Sequence, residues 1–311
     1  MRAIVVDPGA PGHLSISEVD EPRPAPNQAL VRLAATSLNR GEVRMAQTGQ
    51  PGYRPGWDVA GTVVAAAADG SGPAEGTRVV GLVNNGAWGE LVAVATDALA
   101  PIPENVSFAQ AASLPVAGLT AYYALQKAGS LLGRNALVTG ASGGVGHLAV
   151  QLIGLSGGRV VGVVRQPGYA DLVRELGAYQ VVVSEDAAEA ETYGPYDLVL
   201  DSVGGKTLAS VVRMLAPFGL VVNYGSTAGR EVTIQLGAGF GRGGATLYSL
   251  LVFREASREG AAIGLGRLAG LVGEGKLSAH IAVQESWTQA GSVAQRLLDR
   301  SYPGKAVLIV E

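Results

Sequence analysis

Residues 137 to 165 constrain the fold of this chain more than any other stretch. A short apolar run from Ala136 to Val138 leads into a turn holding Gly143, Gly144 and Gly146. After the turn, Leu148, Ala149, Leu152, Ile153 and Leu155 recur at helical spacing, and Val160 to Val164 is again apolar and β-branched. The period changes from strand to helix and back within thirty residues, which predicts one βαβ unit with a glycine turn at its first strand–helix junction. Such a turn suits a pyrophosphate: glycine permits the tight bend and the close backbone approach, and the helix N-terminus directs N–H groups and a positive dipole end at the anion. In a chain with 45 glycines the pattern alone means little, and the flanking strand and helix give it content. The unit therefore predicts a nicotinamide dinucleotide site, with Ser142, Gly143, Gly144, Val145 and Gly146 around the pyrophosphate.

The end of the second strand points to the nucleotide. A site for NAD usually carries Asp or Glu there to accept from the ribose 2′-OH. Here the strand runs Val163, Val164, Arg165, and no carboxylate follows until Asp171. A guanidinium binds a 2′-phosphate in bidentate fashion, so Arg165 predicts NADP(H), with Tyr169 placed to cover the adenine.

Composition narrows the remaining possibilities. At 311 residues the chain has room for about two domains, and 48% apolar residues are enough to build their cores. A net charge of −3 provides no basic field for nucleic acid. No cysteine is present, which excludes disulfides, thiolate catalysis and cysteine-ligated zinc; His13, His147 and His280 are too scattered for a metal cluster. The N-terminal run reaches Asp7 too early for a signal peptide, and the most apolar stretch, Val145 to Val164, is broken by His147, Gln151 and Arg159. No membrane partner and a cytoplasmic location are the expectation.

Residues 1 to about 115 read as short β-branched runs (3–5, 29–33, 59–65, 78–82 and 90–95) separated by Pro, Gly and Asn turns. From about 118 to 250 strand alternates with helix, with later strands at 181–183, 198–200, 220–223 and 246–250, as a doubly wound parallel sheet requires. A helix past 255, a strand at 281–283, a helix near 290–300 and a strand at 306–310 close the chain. The glycine-rich stretch 237–244, flanked by Arg230 and Arg242, reads as a mobile lid or dimer loop.

Many ordered motifs carry a resemblance that spans nearly the whole chain. They include Leu38-Asn39-Arg40, the run Pro55 to Gly61 with Gly56-Trp57-Asp58 at its centre, Gly76-Thr77-Arg78-Val79, Gly86-Ala87-Trp88-Gly89-Glu90, Ala111 to Pro115, Gly118 to Ala121, Ser142 to Gly146, Asp201 to Gly205 and Gly304-Lys305-Ala306-Val307. In this set the chain resembles the zinc-independent medium-chain dehydrogenase/reductases of the quinone oxidoreductase group. The resemblance implies an α/β architecture: a Rossmann doubly wound sheet over 118–252 and a GroES-like β-rich catalytic domain built from 1–117 and 253–311. It also implies an active site in the cleft between domains, a homodimer paired through the edge of the Rossmann sheet, and NADPH-dependent reduction of quinones or of the C=C bond of α,β-unsaturated carbonyls.

The departures from the family refine that expectation. Zinc-dependent relatives carry Gly-His-Glu where this chain has Gly56-Trp57-Asp58, so metal ligands are not expected and conjugate reduction suits the chain better than alcohol dehydrogenation. In related enoyl reductases Gln50 stands at a tyrosine position, Ser226 at a lysine position and Glu42 at an aspartate position. A fully equipped enoyl-thioester reductase is thereby disfavoured. Family position places Asn39 against nicotinamide or substrate, Thr120 near the nicotinamide ring at the start of a hinge helix, and Tyr53 as a substitute proton donor. Ser202, Val203, Gly225 and Ser226, at the carboxyl ends of later strands, complete the expected cofactor set, because cofactors bind beside such ends. His147 is expected to make at most a cap or phosphate contact. A tailoring reductase for one polyketide-like enone and a non-redox member that keeps NADP(H) as a structural or sensing ligand stand as alternatives.

Overall fold

In the N-terminal third, alternation of side chains becomes alternation of burial: Ala29, Val31, Leu33 and Ala35 are buried while Arg32 between them is exposed. The structure, a computed structural model, describes residues 1–311 and divides them into one unit of residues 1–119 with 255–311 and a second of residues 120–254.

The first unit contains β1 (Arg2–Val6), β2 (Leu14–Glu18), β3 (Gln28–Ser37), α1 (Arg40–Thr48), β4 (Asp58–Ala65), β5 (Arg78–Leu82), β6 (Leu91–Ala95), β7 (Leu99–Pro101), α2 (Phe108–Ala112) and the first turns of α3 (Pro115–Ala128). β1 and β2 form a hairpin sheet, and β3, β4, β5 and β7 run antiparallel side by side, with β6 also paired to β3. α1 has no strong apolar periodicity and was not expected from the sequence. Its start is set locally, since the Glu42 Oε1 accepts from the Asn39 backbone N–H at 2.6 Å, half of a capping box. Ile4, Val31, Val43, Val59, Trp88 and Leu308 lie together in this unit's core.

The second unit takes the rest of α3 from Thr120 and continues with β8 (Asn135–Thr139), α4 (Gly146–Leu155) and β9 (Arg159–Val164), the βαβ unit read from the sequence. There follow α5 (Ala170–Glu175), β10 (Gln180–Val183), β11 (Tyr196–Asp201), α6 (Gly205–Arg213), β12 (Leu215–Asn223) and β13 (Thr246–Ser249). All six strands are parallel, in the spatial order β10, β9, β8, β11, β12, β13. Numbered by appearance the order is 3-2-1-4-5-6, the doubly wound dinucleotide-binding arrangement. β8 and β11 are buried almost throughout, as central strands covered on both faces must be.

Within α7 (Val252–Glu259) the chain returns to the first unit, which continues with α8 (Ala261–Gly273), β14 (Ile281–Ser286), α9 (Ala290–Leu298) and β15 (Lys305–Ile309). β15 pairs antiparallel with β3, with Val307 opposite Ser37, and β14 extends the sheet beyond it.

Two expectations change here. The stretch 237–244 is anchored: Phe240 packs on the second unit's core, and Gly239 sits so close beneath α6 that a Cβ there would lie 1.8 Å from the Val212 carbonyl oxygen. Thr120 does not start a helix; it is the sixth residue of α3 and is buried.

Candidate functional site

The second unit assembles its site from loops at the carboxyl ends of β8, β9, β11 and β12. The chain leaves β8 through Gly140, whose φ is +61°, and Gly143 donates back to the Gly140 carbonyl at 2.9 Å. Gly146 opens α4 against that same carbonyl: a Cβ there would stand 2.3 Å from the Gly140 oxygen. The tight bend therefore rests on Gly140, which the sequence reading passed over, while Gly144, assigned to the turn, has no positive φ. Ser142, Gly143, Gly144 and Val145 are half-buried, and the N–H groups of Gly144, Val145 and Gly146 have no partner within the chain. His147 is buried with Nδ1 3.0 Å from the Gly143 carbonyl oxygen, so its ring braces the turn from behind.

Asp201 ties the neighbouring strand ends together. Its buried carboxylate accepts from the Thr139 hydroxyl at 2.7 Å, from Asn223 Nδ2 at 2.8 Å, and from the N–H groups of Val203 and Gly204 at 3.2 and 3.0 Å. Ser202 Oγ would lie 2.7 Å from a Cβ on Gly140, and the Ser202 carbonyl oxygen 2.7 Å from one on Gly225. Ser202, Val203, Gly225 and Ser226 are thus brought to one rim with the glycine turn, half-buried. Burial, followed by Asp201, pushes the Tyr224 phenol well above its ordinary value, which keeps the residue behind this rim neutral. Arg165 follows the last residue of β9, adjacent to β8, exposed and without a partner in the chain; Tyr169 ends the next short turn half-buried.

The first unit holds a polar cluster of a different kind. Register builds it: β3 lies against β4 so that Ser37 comes beside Asp58, and the β3–β15 pairing, carried two residues past Val307 and Ser37, sets Lys305 opposite Asn39. Asp58 is fully buried. One of its oxygens accepts the Val116 N–H at 2.9 Å; the other accepts from the Ser37 hydroxyl and from Asn39 Nδ2 at 2.7 Å, with Lys305 Nζ 3.5 Å away. Lys305 Nζ donates to the Leu38 carbonyl at 3.0 Å and to Asn39 Oδ1 at 2.6 Å. Asn39 Nδ2 also reaches Glu42 Oε1 at 3.1 Å.

The amide predicted to face a ligand is thereby engaged inside the protein by Glu42, Asp58 and Lys305. Trp57, at the position of a zinc ligand in relatives, offers no ligand atom and packs so closely on Gly41 that a Cβ there would lie 2.6 Å from its ring. Tyr53 is half-buried on the core that holds Val43 and Ala46 of α1; burial and then the Glu42 carboxyl push its phenol up. Sequence reasoning missed Lys305 and Asp58 as site residues, because the register that joins them to Asn39 is not a local signal.

Together the strand order, the glycine turn and the strand-end rim define a Rossmann dinucleotide-binding domain. Residues 144–265 match the family model described as zinc-binding dehydrogenase, and residues 25–104 the alcohol dehydrogenase GroES-like domain. The chain is 30% identical over 241 residues to a quinone oxidoreductase of Pseudomonas aeruginosa, covering 74% of each chain. It therefore belongs to the medium-chain dehydrogenase/reductase family, in its quinone oxidoreductase-like branch. A quinone oxidoreductase of Thermus thermophilus, solved also in complex with NADPH, is similar along 99% of this chain and 100% of its own, with 30% identity and a TM-score of 0.83. The 2-methylene-furan-3-one reductase of Solanum lycopersicum is 34% identical over 215 residues, and there the match covers 63% of this chain and 55% of the relative.

Proposed function

We propose that the chain is an NADPH-dependent reductase that adds a hydride to a quinone or to the C=C bond of an α,β-unsaturated carbonyl. The observation that carries this reading is the glycine turn with its unengaged N–H groups at the end of β8, beside an exposed, unpaired Arg165 at the end of β9. A pyrophosphate fits the turn, since Gly146 lets the backbone come close where a Cβ would meet the Gly140 carbonyl oxygen at 2.3 Å. Arg165 would hold the 2′-phosphate and Tyr169 the adenine; Ser202, Val203, Gly225, Ser226 and Thr120 would hold the rest of the dinucleotide. The NADPH complex of the Thermus relative and the names of the Pseudomonas and tomato relatives support the same cofactor and acceptor class.

When bound, the reduced nicotinamide supplies a hydride. The protein's part is to position the acceptor and donate a proton, because the conjugated π-system of a quinone or enone already spreads the developing charge. Lewis-acid activation at Trp57 and Asp58 is not part of this reading: the indole cannot ligate, and the carboxylate is held by Lys305, Asn39 and Ser37. Tyr53 is the acid assigned here. Gln50, exposed, and Ser226 cannot replace the tyrosine and lysine of enoyl-thioester reductases.

The unpaired edge of β13, with Thr246 and Leu247 exposed, supports pairing of two copies into a homodimer. No helix is long and apolar enough to cross a membrane, and a cytoplasmic location is proposed with the same reading. The test is the loss of NADPH absorbance with benzoquinones, naphthoquinones and 2-alkenones, with NADH in parallel. NADPH-selective oxidation by any of these acceptors is the expected result. NADPH binding without oxidation by any acceptor would overturn the assignment.

A further inference from the structure

Asp201 ends β11 with a fully buried carboxylate that no cation meets. One oxygen accepts from the Thr139 hydroxyl and the Val203 N–H, the other from the Gly204 N–H and Asn223 Nδ2. The Thr139 oxygen is itself taken by the Ser202 N–H at 3.1 Å, which leaves the hydroxyl proton for Asp201. All four groups therefore donate, and no neighbour is placed to accept a proton from a carboxylic acid here. Neutral donors alone hold the residue as an ion. Asp58 of the first unit is buried to the same degree but has Lys305 Nζ at 3.5 Å, whereas the charge on Asp201 stays unbalanced. Lys206 of α6 and Arg230 beyond β12 are the cations that follow these strand ends, and both are exposed, where solvent screens them.

The sheet sets the place of that charge. Asp201 pairs with Asn223 at the end of β12, and Asn223 Nδ2 donates both to Asp201 and to the Gly225 carbonyl at 2.8 Å. Ser202 and Val203 follow Asp201 directly. In a doubly wound sheet a dinucleotide lies across the strand ends, one mononucleotide to each half. The turn after β8 and Arg165 after β9 are assigned to the pyrophosphate and the adenosine, so the nicotinamide falls to the half built by β11 and β12.

We propose that Asp201 is a fixed negative charge behind the nicotinamide half of the site, and that it strengthens binding of NADP⁺ relative to NADPH. This rests on the cofactor reading above. The two forms carry the same phosphates, and Asp201 repels those equally in both. They differ in the ring, which is a cation in NADP⁺ and neutral in NADPH, so the field of a buried, poorly screened carboxylate acts on the ratio of the two affinities. A site that favours the oxidised form makes bound NADPH the stronger reductant and favours delivery of its hydride. The charge acts at a distance, and contact between Asp201 and the ligand is no part of the role.

The test uses the full-length protein and calorimetric titration with NADPH and with NADP⁺. Asp201→Asn removes the charge, and a turn of the Asn223 amide offers its oxygen to the new Nδ2. The variant should fold as wild type does by circular dichroism. It should lose on the order of 10-fold in NADP⁺ affinity relative to NADPH affinity, a rise of about 30 mV in the potential of the bound couple. Where Asp201→Asn does not fold, Asp201→Ser gives the same readout, since a serine hydroxyl accepts from N–H groups a few residues on, as the Val203 and Gly204 groups are. Thr139→Val disturbs the same network and keeps the charge; it should leave the ratio at the wild-type value whatever it does to each affinity. An unchanged ratio in a folded neutral variant overturns the proposal, as does an equal shift of the ratio in Thr139→Val. If wild type binds neither form, the cofactor reading fails and the proposal with it; a wild type that binds both, with the ratio unmoved in the variant, fails the proposal alone.

Discussion

The glycine turn of the second unit and the carboxyl cluster of the first are both polar sites set in apolar cores, but they are built in opposite ways. The turn is contiguous: residues 140 to 146 make it, and its chemistry is that of the backbone. The cluster joins Ser37, Asn39, Glu42, Asp58 and Lys305, so that a single hydrogen bond spans 266 residues. A site made of backbone tolerates side-chain change until a Cβ intrudes. A site made of buried charges fails when one partner is removed.

The largest expected effect probes that second statement. Lys305→Met should leave Asp58 as an unpaired buried anion and destabilise the first unit by about 3–5 kcal/mol, read by urea unfolding. Adding Asp58→Asn should recover part of the loss; no recovery would mean that the lysine acts by packing, and the contrast between the two sites would disappear.

Next comes Arg165, the side chain proposed for the 2′-phosphate. Arg165→Ala should weaken NADPH by about 10- to 100-fold, from the loss of roughly 1.5–3 kcal/mol of charge-assisted hydrogen bonding, and leave NADH unchanged by fluorescence titration. Equal weakening of both would remove Arg165 from the 2′-phosphate role.

Gly146→Ala sharpens the backbone side of the comparison, since its Cβ would meet the Gly140 oxygen at 2.3 Å. A stability loss of about 1–3 kcal/mol is expected, together with weaker binding of NADPH and NADH alike. A folded variant with wild-type affinity for both would show that the turn can open without harm.

The smallest effect is a slope. Burial, and after it the Asp58 charge, raises the Glu42 pKa well above the usual carboxylate range. A carboxyl whose folded pKa is raised contributes stability that is complete below its unfolded value and is lost as pH rises through the folded one. Wild type should therefore lose thermal stability relative to Glu42→Gln as pH rises above the usual carboxylate range. Parallel Tm–pH curves for the two proteins would contradict a neutral Glu42.

Legibility followed the same division. β5 at Arg78–Leu82 was read residue for residue, and β8, α4 and β9 to within a residue at each end, because in each the periodicity and the breakers lie inside the element. β2 and β7 were missed: Leu14–Glu18 alternates only weakly, and Leu99–Pro101 is three residues long. α1 was missed because its amphipathic pattern is carried by few apolar residues, Val43 and Ala46 among them, and its cap needs the Glu42 side chain to fold back. The stretch 237–244 looked mobile from its glycines, yet Gly239 is there to let the chain approach α6.

By itself the sequence determined the alternation of strand and helix, the glycine turn, the arginine that follows β9 and the lack of thiol or histidine-cluster chemistry. Each of these is a property of neighbouring residues or of composition. Tertiary structure decided that Gly140 bends the turn, that Asn39 is engaged within the protein, and that one lysine is shared by a cluster containing two acids. Those outcomes depend on strand register, which brings together residues far apart in the chain, and on burial, which makes the balance of charge within a few ångströms decide which carboxyl keeps its proton.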